Sequence, residues 1–327
     1  MTVHRFRLPV CGVAALLGAT VLTGCQSGGD DAATSAATPS AATSSTARAA
    51  SPAAPAATTT APAAATSASA AAPTPGTVVD GATFGRRIEQ ATRSAKTVRV
   101  SMPAPDDPSQ SLDADMVFVS PTRTDLSMAF PVENPQDEGF ELRMVDGSLY
   151  FSNPDPEIDA QWLSADEGTR NPFAQTLVGM MQESARVAPA GQSALYAKSR
   201  VTAVGPERVA GTQTTRYRVA VPMTVVLDGV EKSYRSTGGL DPELEKELPR
   251  LRQQAKGQTL TQDVWVDAQH RPVQAEVATP DLGGPKTEPM TITYSRWGKP
   301  VTVERPPADQ TQSVDTAWGS EVPPWLE

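Results

Sequence analysis

Reactive side chains are scarce in this 327-residue chain, which holds two cysteines and two histidines. Two cysteines cannot build a disulfide scaffold or a multi-cysteine metal site. Two histidines leave little for zinc chemistry or a His-based triad. Basic residues are also short, 28 Lys+Arg against 37 Asp+Glu, for a formal charge of -9. A nucleic-acid partner needs a basic footprint, so that class is excluded. Aromatic residues make up only 5%, and much of that deficit falls in one segment. Gly-rich phosphate loops, Gly-x-Ser-x-Gly elbows and Ser-x-x-Lys pairs are absent. No Asn-X-Ser/Thr sequon occurs.

What is present begins with an address. His4, Arg5 and Arg7 precede an apolar run of 12 residues, Val10 to Val21. A membrane span needs roughly 20 residues, so residues 1–24 read as an export signal. Leu22-Thr23-Gly24-Cys25 then resembles a bacterial lipobox, which implies a diacylglyceryl group on the Cys25 sulfur and cleavage before it. Processing there removes Cys11, His4, Arg5 and Arg7. The mature chain keeps one lipid-bearing cysteine and His270, which excludes Cys–His catalysis and an intrachain disulfide. Each buried CH₂ of the lipid adds about 0.8 kcal/mol of membrane affinity. The expected location is the extracytoplasmic face of the cell membrane, anchored without spanning it.

Residues 25–76 read as the lipidated Cys and a disordered tether. From Gln26 to Gly76 the chain is almost entirely Ala, Thr, Ser and Pro, with Asp30, Asp31 and Arg48 as its only charges. Such a segment cannot bury enough surface to offset its ordering entropy. As a flexible coil it averages roughly 40 Å end to end. Its Thr/Ser/Pro mixture is a candidate for O-linked sugar.

Residues 77–304 carry the fold. Phe84, Ile88, Ala91 and Ala95 fall at helical spacing within Ala82–Ala95. The period then changes to two through residues 98–102, 112–118, 126–130 and 140–144, with a hairpin signal at Asp146-Gly147 and a further strand at Leu149 and Phe151. Asn171 and Pro172 open a second helix that should end before Pro189. A charged stretch, Pro242 to Lys256, forms a third helix that Pro249 kinks or splits. Strands are expected around Tyr217–Val221, Val225–Leu227, Thr261–Asp267, Pro272–Ala278, Met290–Tyr294 and Val301–Val303. Ten or eleven strands with few helices predict an α+β domain on a single curved antiparallel sheet, its apolar face covered by helices. Residues 305–327 form a Pro-rich tail whose Trp318 and Trp325 either hang loose or dock.

No catalytic, cofactor or metal residues emerge, so the chain reads as a non-enzyme. The acidic run 153–159 lacks EF-hand spacing and reads as a surface turn. The carboxylates between Asp241 and Glu247 read as exposed helix charge. His270 reads as a residue of a hairpin turn. One pattern is more specific. Met102, Met116, Met128 and Met144 share the inward phase of successive strands, with Phe118, Phe130 and Leu142. Phe173, Leu177 and Met181 lie on the helix expected to cover them, beside Met180. Met is flexible and polarisable, so such a layer either lines an adaptable apolar cavity or packs an ordinary core.

The segments Asp263–Asp267, Arg271–Val273, Ile292–Val301 and Pro306–Gln310, with Asp146–Phe151, the lipobox and the tether, resemble actinobacterial lipoproteins of the LppX/LprG type. Those proteins are similar in fold to the carrier LolA. The resemblance covers roughly Thr77 to Gln310. It implies a half-barrel sheet wrapped on helices around an apolar cavity, and a function in carrying or sensing acyl lipids or glycolipids of the cell envelope. The alternative is an interaction or sensory lipoprotein with a filled core that presents a surface to an envelope protein partner.

Overall fold

The computed structural model describes residues 73–103, 110–120, 123–130, 140–187, 189, 191–236, 242–278 and 289–321. The expected signal, Cys25, nearly all of the tether and Trp325 lie outside them. A two-residue strand, β1 (Val78–Val79), leads into helix α1 (Gly81–Ala95). Five strands then meander: β2 (Thr97–Pro103), β3 (Ser111–Ser120), β4 (Arg123–Ala129), β5 (Glu141–Val145) and β6 (Ser148–Ser152). After them come β7 (Trp162–Ala165), helix α2 (Pro172–Val187) and the short helix α3 (Ser193–Ala197). A long hairpin, β8 (Arg200–Val209) and β9 (Thr212–Pro222), precedes helices α4 (Met223–Ser236) and α5 (Pro242–Gln254). The last strands are β10 (Thr259–Asp267), β11 (Pro272–Ala278), β12 (Met290–Ser295) and β13 (Thr311–Ser313), followed by α6 (Val314–Ala317).

All thirteen strands among the described residues belong to one open, curved sheet, in the order β1-β8-β9-β10-β11-β12-β2-β3-β4-β5-β6-β7-β13. Every neighbouring pair is antiparallel except β7 with β13. The α+β expectation with a single curved antiparallel sheet therefore holds. Alternation does the sorting: β3 runs exposed–buried–intermediate–buried along most of its length. One residue in two thus faces the helices, and the other faces outward, among them Asp113 and Asp115.

Helix α1 starts at Asp80, whose carboxylate accepts from the Thr83 amide at 2.8 Å. It ends at Lys96 in the left-handed conformation, φ 66°. Its buried stripe is Phe84, Ile88 and Thr92, with Gly81 and Gly85 between turns. Those glycines allow α3 to approach. A Cβ on Gly81 would lie 2.1 Å from the Tyr196 carbonyl oxygen, and one on Gly85 2.8 Å from the Ser193 Cα. Ala91 and Ala95, expected on the buried face, are only half-buried. Helix α2 begins as expected, with the Asn171 side chain accepting from the Ala174 amide at 3.1 Å.

Three local expectations differ. The Val225–Leu227 stretch is not a strand but part of α4. Pro222 closes β9, and Met223 and Leu227, one turn apart, bury a helical face instead. Asp228-Gly229 accordingly sits inside that helix rather than in a turn. Val301 and Val303 lie in irregular chain, where Glu304 accepts from Arg143 through its carbonyl and Arg305 lies over the Tyr150 ring. The third helix runs to Gln254 with Pro249 within it. The segment after Glu304 supplies β13 and α6. Trp318 packs on Phe151 and Phe173, with ring centroids 5.8 and 6.4 Å away. Asp315 accepts from the Arg170 and Asn171 amides, and Asn171 donates to the Gly319 and Glu321 carbonyls.

Candidate functional site

Register brings the inward residues into rows. One row runs Tyr294–Val100–Ala114–Met128–Leu142–Phe151–Leu163 across β12, β2, β3, β4, β5, β6 and β7. A second runs Val98–Met116–Leu126–Met144–Leu149–Ala165. Met102 faces Leu112 at the end of β2. Phe118 lies near the end of β3 and Phe130 just past β4, where its ring is 5.7 Å from Phe140. Helix α2 lays Leu177 and Met181 on this layer, and Phe173 touches its edge through Trp318.

All ten expected lining residues therefore meet in one apolar cluster. Met116, Met128 and Met181 are 0% exposed, while Phe130 and Phe173 are half-buried at the rim. The side chain of Met180 lies outside the described ones. The aromatic rings form a chain here: Phe140 is 6.3 Å from Phe151, which continues to Trp318. Within the two rows only Val98 and Val100 are β-branched, so the layer can repack around a guest more cheaply than one of Val and Ile.

A second aromatic group joins α1 to the β8–β9 side. Phe84 stands 5.2 Å from Tyr196 and 4.8 Å from Tyr217. Burial raises the Tyr196 and Tyr294 hydroxyls far above the ordinary tyrosine range, so both stay neutral. The Tyr196 hydroxyl donates to Gln192 at 2.6 Å. Tyr196 lies in a one-turn helix with too few residues to show a period, while Trp318, expected either to hang loose or to dock, docks on Phe151 and Phe173.

The outer face is ionic. Burial pushes Asp263 up, but hydrogen bonds from Arg218 and Arg216 outweigh it and hold the carboxyl below its usual range. Arg218 Nε donates to Asp263 at 2.9 Å, and the Arg216 guanidinium lies 4.9 Å over the Trp265 ring. Asn153 organises the acidic turn by donating to the carbonyls of Asp155, Ile158 and Ala160. Those carboxylates belong to a turn and to α5, where Glu245 and Glu247 are exposed.

A groove of about 420 Å³ lies elsewhere, between α1 and the turn that joins β10 to β11. Arg87, Gln90 and Ser94 form one wall, Gln269, His270 and Arg271 the other, and Ala91 and Ala95 the apolar part. Asp267 holds the turn, accepting from the Gln269 and Arg271 amides at 2.9 and 2.8 Å and from Arg271 Nε at 2.8 Å. His270 adopts φ 62° in that turn.

No protein-family model matches the chain, and no curated protein matches it in sequence. Solved structures do. The chain is similar to LprF from Mycobacterium bovis, with 16% identity, 69% of this chain and 96% of that one covered, and a TM-score of 0.40. It is similar to the lipoprotein LppX of Mycobacterium tuberculosis, with 17% identity, 68% and 98% coverage, and a TM-score of 0.36. A LolA superfamily protein from Nitrosomonas europaea aligns at 12% identity, 66% and 92% coverage, and a TM-score of 0.24. Identities and scores of this size carry no inference about the ligand of this chain.

Proposed function

We propose that this protein is a lipid-anchored envelope lipoprotein that binds acyl chains between its sheet and α2. The observation that carries the reading is the register of the inner layer. Met116, Met128 and Met144 stand on adjacent strands and Met181 lies on the helix packed against them. An entering chain would displace flexible methionines rather than break a polar network, because the row holds no charged side chain. Each CH₂ of a guest buried there contributes about 0.8 kcal/mol, so a long chain offsets the cost of separating α2 from the strands. Phe130 and Phe173, half-buried at the rim, mark the expected entrance. Cys25 supplies the anchor, and the tether lets the domain reach the membrane surface. No step of this function requires catalysis.

Full burial of the central methionines favours a second reading, a filled core that only presents an outer surface to an envelope protein. Titration of the full chain with a fluorescent long-chain fatty acid separates the two. Saturable binding that unlabelled fatty acid displaces supports acyl binding, and no saturable signal supports the filled core. The anchor has its own test: Cys25→Ser should lose acyl labelling and leave the membrane fraction, and retention of either contradicts the lipobox.

A further inference from the structure

The groove between α1 and the β10–β11 turn has no part in acyl binding, and its lining points to a different ligand. Its donors converge from two directions. Arg87, Gln90 and Ser94 project from successive turns of one helix, and Gln269, His270 and Arg271 come from one turn across the groove. Lining carboxylates are lacking, because none of these residues is acidic. The nearby Asp267 is already spent on two backbone amides and on Arg271. Arg87 makes no hydrogen bond or ion pair among the described residues, although it lies close enough to His270 and Tyr217 to act on both electrostatically. Donors without a lining carboxylate, a guanidinium with no hydrogen bond or ion pair among the described residues, and a turn fixed by Asp267, with Arg271 also donating to Gln269 at 3.1 Å, together form a preorganised anion receptor.

We propose that this groove binds a phosphate group, with Arg87, His270 and Arg271 donating to its oxygens. A tetrahedral oxyanion accepts from several directions at once, which suits donors on two facing walls better than it suits a flat carboxylate held by one fork. The groove is larger than a phosphate alone. Its remaining part, floored by Ala91 and Ala95, fits the glycerol or sugar that carries the phosphate. Burial, with Arg87 adding to it, lowers the His270 pKa, so the imidazole is neutral near pH 7 and offers one N–H. A phosphate placed between His270 and Arg87 would oppose that lowering and raise the His270 pKa. The source is either a phospholipid headgroup or a free phosphate monoester, and both present the same oxygens.

The chain has two histidines, His4 and His270, so histidine-selective isotope labelling gives a simple spectrum in which the resonance lost in a His270→Gln variant is that of His270. Glycerol 3-phosphate added to the full chain, against sodium chloride at matched ionic strength, should shift the His270 resonance saturably. Arg87→Gln should weaken the fitted affinity about tenfold, the size expected for a charged hydrogen bond. Arg86→Gln, on the same helix but engaged with Thr83 at 3.0 Å, should change it less than twofold. Flotation of the Cys25→Ser chain with phosphatidylglycerol vesicles, compared with galactosyl-diacylglycerol vesicles, separates the sources. Arg87-dependent flotation with the phospholipid alone assigns the groove to headgroups. A saturable shift without flotation assigns it to free phosphate monoesters. No saturable His270 shift with either phosphate, or equal affinities for Arg87→Gln and the parent chain, overturns the proposal. Loss of fatty-acid binding leaves it standing, because the acyl layer shares no residue with the groove.

Discussion

Met128→Ala perturbs the inner layer at its centre. Met128 is fully buried on β4, between Ala114 of β3 and Leu142 of β5. Ala114 cannot extend into the gap, so the space left by truncation closes poorly. Buried Met→Ala changes cost about 2–5 kcal/mol, with the larger values where collapse is poor. A loss near 3 kcal/mol lowers Tm by roughly 6–12 °C for a domain of this size. The acyl-binding account adds a second expectation. A fatty acid held at a hundredfold excess over its Kd returns about 2.7 kcal/mol, so it should recover most of the lost Tm. The assay is a thermal melt of parent and variant, followed by intrinsic fluorescence, with and without oleate below its micelle concentration. An unshifted Tm in the variant would refute the packing argument. A lowered Tm that oleate leaves unchanged in both proteins would refute the binding argument and leave a filled core.

Three further outcomes follow from other contacts. Gly85→Ala should destabilise by up to about 2 kcal/mol: the added methyl meets Ser193 backbone at 2.8 Å, and overpacking of about 1–3 kcal/mol offsets the roughly 1 kcal/mol gained in helix propensity; a higher urea midpoint would contradict it. Trp318→Ala should cost about 3–5 kcal/mol and release protection from hydrogen exchange in β13, whereas unchanged exchange there would show that the tail does not depend on the ring. Asp263 has its folded pKa held down, so its contribution is present above the ordinary carboxylate value near 3.9 and is lost as pH falls below it toward the folded pKa. Urea midpoints of Asp263→Asn should therefore lie below the parent's at pH 6 and converge with them toward pH 3, and a constant gap across that range would remove the ion pair as the cause.

Periodicity revealed the elements whose neighbours lie close in sequence. β2 and β3 alternate in burial along most of their length, and Asp146-Gly147 gives the β5–β6 hairpin: Asp146 sits at φ 53° and Gly147 at φ 84°. Helix α2 is legible from Asn171-Pro172 because its cap is local. β7 has only four residues, too few to establish a period. β8 is obscured by Gly205 and Pro206 in its middle, where its register with β9 shifts between Ala203 and Gly205. The valines of α4 resemble a strand because β-branched runs carry no period of their own. Long-range placement left no local trace at all: β12 joins β2, so that Tyr294 faces Val100, and β13 adds in parallel to β7. Seven of the ten inner-layer residues were legible from strand phase, and Phe173, Leu177 and Met181 from helical spacing. The groove was not, since residues 87–95 and 269–271 meet only once the sheet is assembled.

The central claim is that the inner layer admits acyl chains, and native mass spectrometry tests it most directly. The Cys25→Ser chain, which lacks its own lipid, is purified without detergent from the host soluble fraction or medium, then sprayed intact and again after organic extraction. The account predicts an added mass in the acyl-lipid range that vanishes on extraction, reappears when oleate is supplied, and is reduced by Met128→Phe, which fills the layer. A single unliganded mass before and after oleate would contradict it.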